Sequence, residues 1–142
     1  MKTISQLLQN KSRGVCTIGP DARVYDALKL MAEKDVGALP VVANDRLVGI
    51  ISERDYARKV ILHGKSSHDT PVREIMTERV VCVHPENSVE ECMALMTNKH
   101  FRHLPVMENE KLVGILSIGD LVKEIISEQQ FMINQLESYI HN

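Results

Sequence analysis

No stretch of this chain is apolar for long enough to cross a bilayer, which argues against a membrane-spanning helix. Neither sign of charge is in excess. Seventeen Lys and Arg face nineteen Asp and Glu over 142 residues, for a formal net charge of −2. No nucleic acid or anionic membrane is therefore expected as a partner, and a phosphate-bearing ligand would have to be met by local basic residues. The three cysteines (Cys16, Cys82, Cys92) form no CxxC pair and are odd in number. Buried free thiols in a reducing compartment are expected, since a redox role needs a basic neighbour to activate the sulfur. Met1-Lys2-Thr3 leads into polar sequence and not into a signal peptide, so the expected location is the cytoplasm. There is no GxSxG, HExxH, Walker loop or GxGxxG. An enzyme is not expected.

What the chain does contain is itself, twice. Shifting it by 65 residues aligns 16–58 on 81–123 without a gap, and 15 of those 43 positions are identical. The identities include Leu39-Pro40 with Leu104-Pro105, and the Gly, Ser and Asp of "LVGIISERD" (47–55) with those of "LVGILSIGD" (112–120). Many other positions exchange like for like, such as Asp45 with Glu110 and Arg46 with Lys111. The chain is two copies of one supersecondary unit.

Each copy reads strand, helix, strand, strand, helix. Val24, Ala27, Leu28 and Met31 fall at helical spacing, as do Val89, Cys92, Met93 and Met96, and Ser88 with Glu91 has the spacing of a capping box. Two short apolar runs follow, separated by Asn44-Asp45 and by Asn109-Glu110, which is turn chemistry between paired strands. A second helix is expected from Asp55 and from Asp120. "VREIMT" (72–77) leads into the second copy much as "TISQLLQ" (3–9) leads into the first, with a three-residue difference before the first strand. The division is repeat 1 over 1–61, a polar linker over 62–71, repeat 2 over 72–127 and a helical tail over 128–142. One copy alone is too small to bury a sizeable core. Two copies packed sheet to sheet share one, about a pseudo-twofold axis that sets equivalent loops on opposite sides of a cleft.

The doubled pattern LPVV-turn-LVGIIS-x-x-D, bridged by VREIMT, resembles the cystathionine β-synthase (CBS) domain pair, or Bateman module, over essentially the whole chain. "ERDYARKVILHGKSS" and "SEQQFMINQLESYI" narrow the likeness to standalone two-CBS proteins of proteobacteria and their plant mitochondrial relatives. The resemblance implies an α/β (α+β) fold of two pseudo-symmetric repeats. It also implies adenine-nucleotide sensing in the clefts between them, with AMP, ADP, ATP, NAD(H) and S-adenosylmethionine as family ligands. AMP or NAD(H) comes first on that ground. No cofactor is obligatory. A ligand-biased conformational equilibrium passed to an unidentified regulated protein would be the output. An interaction module whose clefts are vestigial is the competing class.

The motif itself has a physical reading. Ser52 and Ser117 stand where a strand ends and a helix begins, with unpaired N–H groups that favour a phosphate. Asp55 and Asp120, one turn on, can accept hydrogen bonds from ribose hydroxyls. Ser-x-x-Asp is also a capping pattern that needs no ligand. Candidates to hold adenine are Thr17-Ile18 and Cys82-Val83 on the first strands, and the residues before each Leu-Pro. There the copies diverge, with Gly37-Ala38 leaving room for a ring and Arg102-His103 offering positive charge to a phosphate. The second site is therefore expected to be the tighter one for a monophosphate. Arg54 and Lys59 could reach a phosphate of either cleft, or simply solvate the surface. His100 and His103 are spaced i, i+3, which without a third ligand is a weak metal signal.

From Leu121 onward the chain carries an apolar stripe of Ile125, Ile126, Phe131, Met132, Leu136, Tyr139 and Ile140. A helix that outruns its core packs most simply on another subunit, and the resemblance also implies dimers, so a homodimer is expected.

Overall fold

The structure is a computed structural model, and it describes residues 2–9 and 15–141. Its first unit contains helix α2 (Val24–Lys34), strands β1 (Ala38–Ala43) and β2 (Arg46–Ser52), and helix α3 (Glu53–Lys59). The second contains α4 (Val89–Lys99), β3 (His103–Glu108), β4 (Lys111–Ser117) and α5 (Ile118–His141). A short helix α1 (Ile4–Gln9) precedes the first unit, and a 3-10 turn at Val72–Glu74 precedes the second. The two lead-in segments thus resemble each other in sequence but differ in coiling.

The expected first strand of each copy is a single bridge. Ile18 pairs parallel with Val41, and Val83 with Val106. Pro20 and Pro85 follow two residues on, and a residue without an N–H cannot extend the ladder. The remaining strands form two antiparallel hairpins, β1–β2 and β3–β4. Both are closed by two-residue turns in which Asn44, Asp45, Asn109 and Glu110 take φ of 51°, 63°, 52° and 65°. Two consecutive positive φ values define the type I′ turn, whose twist matches that of the strands it joins. Each hairpin is also bulged at the same place, between Val41 and Val42 and between Val106 and Met107. The hairpins approach each other through β2 and β4.

Each unit has its own core, and each core is completed by the lead-in of the other copy. Val72 and Ile75 are buried among Val24, Leu39, Val41 and Ile51 of the first unit. Ile4 and Leu7 are buried among Val89, Leu104, Val106 and Leu116 of the second. The backbone bonds repeat the exchange pair for pair. Val72 N donates to Ala22 O at 2.8 Å and Arg73 N to Pro20 O at 2.9 Å, while Ile4 N donates to Asn87 O and Ser5 N to Pro85 O, both at 2.9 Å. This interlock explains the glycine in the doubled motif. A Cβ on Gly49 would lie 2.8 Å from Met76 Sδ and 2.9 Å from Thr77 O, and one on Gly114 would lie 2.7 Å from Leu8 Cδ2. The partner lead-in crosses close to both strands, meeting β2 with backbone as well as side chain and β4 with the Leu8 side chain.

Helix ends follow local chemistry. Ser88 Oγ accepts from Glu91 N at 3.1 Å at the start of α4, but the Glu91 carboxylate accepts from Asn87 Nδ2 at 2.8 Å, so half of the expected capping box is replaced. The 62–71 segment is tied to α2 by Tyr25 N donating to Ser67 O at 2.9 Å and by the His68 ring stacked on Tyr25. At the far end, α5 runs without a break through the expected boundary at 127–128, because nothing between Ile118 and His141 is a Pro and its only Gly lies in the first turn. The tail is an extension of the second unit's last helix.

Candidate functional site

At both strand-to-helix junctions Ser-x-x-Asp closes as a reciprocal cap. Asp55 N donates to Ser52 Oγ at 3.1 Å, and Ser52 N donates to Asp55 Oδ2 at 2.9 Å. The second copy repeats this, with Asp120 N to Ser117 Oγ at 3.1 Å and Ser117 N to Asp120 Oδ2 at 2.8 Å. The helices accordingly start at Glu53 and Ile118, two residues before the expected Asp55 and Asp120, with the serines as N-caps.

Around the first junction lies a cleft of about 590 Å³ whose walls come from both copies. Ser52, Asp55, Arg54 and Gly37 of the first copy face Arg79, Arg102 and His103 of the second. Ile50, Val80, Val81 and Phe101 give it an apolar wall. The edge near the axis is narrow, since a Cβ on Gly37 would sit 3.3 Å from Glu53 Oε1 and 3.7 Å from His103 Nε2. Among the described residues no ion pair is formed by Arg54, Arg79 or Arg102. A half-buried carboxylate, guanidinium groups with unspent donors and an apolar slot therefore meet in one place. That set can accept from hydroxyls, donate to a phosphate and cover a flat ring.

The sequence-level candidates divide. Gly37, Ser52, Arg54, Asp55, Arg102 and His103 line this cleft. Arg102 and His103 were expected beside the second junction, where Ile118 N donates to Arg102 O at 2.8 Å and His103 pairs with Ser117; the structure adds that both also line the cleft of Asp55. The cause is the pseudo-twofold packing, which brings the start of β3 across to the partner copy's Ser-x-x-Asp. Lys59 does not line the cleft. Its ammonium pairs with Asp55 Oδ1 at 3.1 Å and donates to Ile75 O at 2.9 Å, tying α3 to the second lead-in. Thr17 is exposed, Ile18 packs against the first core, and Ala38 and Val83 are buried. Cys82 lines a different hollow of about 640 Å³ between the two hairpin tips. Ser117 and Asp120 form the second junction and do not line the 590 Å³ cleft.

Arg79, Thr77 and Val80-Val81 escaped the sequence reading. The available signal was the position of Thr77, immediately after VREIM. Thr77 and Ile50 exchange backbone bonds of 2.9 and 3.0 Å, and that bridge carries the following residues over β2 into the cleft. The remaining chemistry is quiet. Burial raises the thiol pKa of Cys82, and burial followed by the neighbouring Glu91 pushes Cys92 up to about 11, so both stay protonated at neutral pH. No group of three or more metal-binding side chains occurs among the described residues, His100 and His103 included. No helix is long and apolar enough to cross a membrane among those residues.

Comparison with known proteins fits this geometry. The CBS-domain family matches the chain twice, over residues 7–62 and 72–127. The mitochondrial CBS domain-containing protein CBSX3 of Arabidopsis thaliana is 41% identical over 97% of this chain and 71% of its own length. A solved protein with CBS domains from Burkholderia ambifaria is 52% identical, with a TM-score of 0.86 over 90% of this chain and 96% of that one. A hexameric CBS-CP12 protein of bloom-forming cyanobacteria is 33% identical, with a TM-score of 0.75 over 84% of this chain and 70% of its own.

Proposed function

The chain belongs to the CBS-domain family, with two CBS domains in tandem, and from that premise we propose that it is a regulatory module that binds an adenine nucleotide in the Ser52–Asp55 cleft and carries out no chemistry on it. The observation that carries the reading is the meeting, in one cleft, of the Asp55 carboxylate, three arginines without ion pairs and an apolar wall. Asp55 holds the ribose hydroxyls, Arg54, Arg79 and Arg102 hold phosphate, and Ile50, Val81 and Phe101 cover the base. AMP and NAD(H) are the first ligands to test, with ATP and S-adenosylmethionine behind them. The Asp55 cleft is the tighter site for a monophosphate, reversing the order expected from sequence, because the second copy's Arg102 supports it. Filling a cleft walled by both copies biases their relative placement, and a regulated protein partner reads that change.

A homodimer in the cytoplasm completes the reading. The long exposed face of α5 supports association, and the three cysteines, all free, suit a reducing setting.

A second reading has its own support. Both Ser-x-x-Asp motifs are already closed as caps, which is all that an interaction module with vestigial clefts would need. Titrating the purified protein with an adenine-nucleotide panel, followed by product analysis and thermal melts, separates the two. Saturable binding with a raised melting temperature and unchanged nucleotide is the expected result. No shift with any member at saturation favours the interaction module, and turnover removes both.

A further inference from the structure

The segment that follows the second lead-in is fastened at its two ends to different copies. Thr77 exchanges backbone bonds of 2.9 and 3.0 Å with Ile50 on β2. Val83 N donates to Pro105 O at 3.0 Å, and Met107 N donates to Val83 O at 2.9 Å, which fixes the other end to β3. Among the described residues, the only backbone bond within 78–82 is Val80 N to Glu78 O at 3.1 Å. The side chains of this span part to two sides. Arg79 and Val81 line the nucleotide cleft, Glu78 and Cys82 line the hollow of about 640 Å³ between the hairpin tips, and Val80 lines both. One thin wall separates cleft from hollow, and both copies hold it.

We propose that the hollow is where a regulated protein docks and reads the state of the cleft through the 78–82 wall, an inference that rests on the nucleotide reading given above. The hollow is built as a docking patch for protein. Leu47, Val80, Cys82 and Met107 are its half-buried part, while Glu78 and the polar residues of both tips are exposed around them. Apolar surface inside a polar rim is the anatomy of an interface, whereas small-molecule sites are lined mainly by apolar side chains.

Charge identifies the kind of partner. Asp45, Glu78 and Glu110 share the hollow with Arg46 and Lys111, and among the described residues none of the five is in an ion pair. A protein segment carrying both signs complements them, with a basic side chain toward Glu78 and acidic ones toward Arg46 and Lys111. A segment of one sign would meet like charge wherever it turned. Nucleotide in the cleft bears on Arg79 and Val81. Because the span is held by β2 and β3, a change in the placement of the copies also moves Glu78 and Cys82 on its far side.

Cys82 lets the hollow be probed in the intact chain without the partner. The protein is brought to thiol–disulfide equilibrium with cystamine or with bis(2-hydroxyethyl) disulfide, each beside its own thiol, and the Cys82 adduct is measured by peptide mass spectrometry. The cationic cysteamine adduct should exceed the neutral mercaptoethanol adduct by roughly twofold to fivefold, and Glu78→Gln should cancel that preference. An AMP concentration that fills the wild-type site should change the cysteamine equilibrium by about fivefold or more, and the change should be lost in Asp55→Asn. By reciprocity, the cysteamine adduct should bind AMP with an affinity altered by the same factor. A Cys82 equilibrium indifferent to AMP, in protein that titration shows to bind AMP, overturns the inference and leaves the cleft reading standing. Equal cysteamine and mercaptoethanol adducts overturn the assignment of a basic side chain to Glu78. No AMP binding by the unmodified protein removes the cleft reading and this inference with it.

Discussion

The two copies share a backbone plan down to the bulge and the turn, and they differ in how each position of that plan is filled. Four residues after Asp55 stands Lys59, which neutralises that carboxylate and grips the lead-in at Ile75. Four residues after Asp120 stands Glu124, buried, and here the cation comes from the lead-in itself as Lys2, at 2.8 Å. Glu124 in turn holds the Lys2 ammonium pKa above its usual value, chiefly through the hydrogen bond. The same strut between last helix and exchanged lead-in is built with its charges reversed. Both helices keep the same cap, while the residue four positions on changes the sign of its charge.

The largest break in the comparison is expected at the paired glycines. Gly49→Ala forces a Cβ against Thr77 O, a backbone atom of a residue fixed by two hydrogen bonds to Ile50, and should cost about 3 kcal/mol. Gly114→Ala meets only the tip of the Leu8 side chain, which can turn aside, and should cost about 1 kcal/mol. Denaturant melts of the two variants measure the difference, and equal costs would mean that the two crossings are equally yielding.

A smaller effect should be shared. Ser52→Ala and Ser117→Ala each remove the acceptor for one helix-start N–H, and each should lower stability by about 1 kcal/mol in the absence of nucleotide. Melting each with and without AMP sharpens the comparison, since only Ser52 lines the described cleft. The AMP-induced stabilisation should shrink in Ser52→Ala and persist in Ser117→Ala.

The smallest effect concerns the turns. Asp45 and Glu110 both sit at positive φ, where Asp is tolerated far better than Glu. Glu110→Gly should stabilise the protein by about 0.5–1 kcal/mol, while Asp45→Gly should gain less. Thermal melts resolve the pair, and a larger gain at Asp45 would remove this explanation.

The repeat made much of this legible beforehand. Periodicity located α2 and α4, the Asn-led dipeptides located both turns, and doubled Ser-x-x-Asp located the junctions. The exchange of lead-ins was not legible, because sequence similarity says that VREIM and TISQL are equivalent but not which core receives them. Nor was the packing of the two copies legible: Arg102 and His103 stay beside the second junction through the β3–β4 pairing and also line the Asp55 cleft, where Arg79 arrives with the segment after Thr77. The helical tail after Ser127 was legible from its apolar stripe, and α5 runs on through it from Ile118 to His141.

The central claim is that one cleft, walled by both copies, reads a nucleotide through Asp55. Calorimetric titration of AMP into wild type, Asp55→Asn and Asp120→Asn tests it directly. Asn keeps the shape of the side chain but removes the charge, and hydrogen bonds to a charged group are worth about 1.5–3 kcal/mol. Asp55→Asn should therefore weaken the tighter AMP site by about tenfold to a hundredfold, while Asp120→Asn leaves that site within about threefold of wild type. Loss of the tighter site in Asp120→Asn alone, or wild-type AMP binding in a folded Asp55→Asn, would contradict the account.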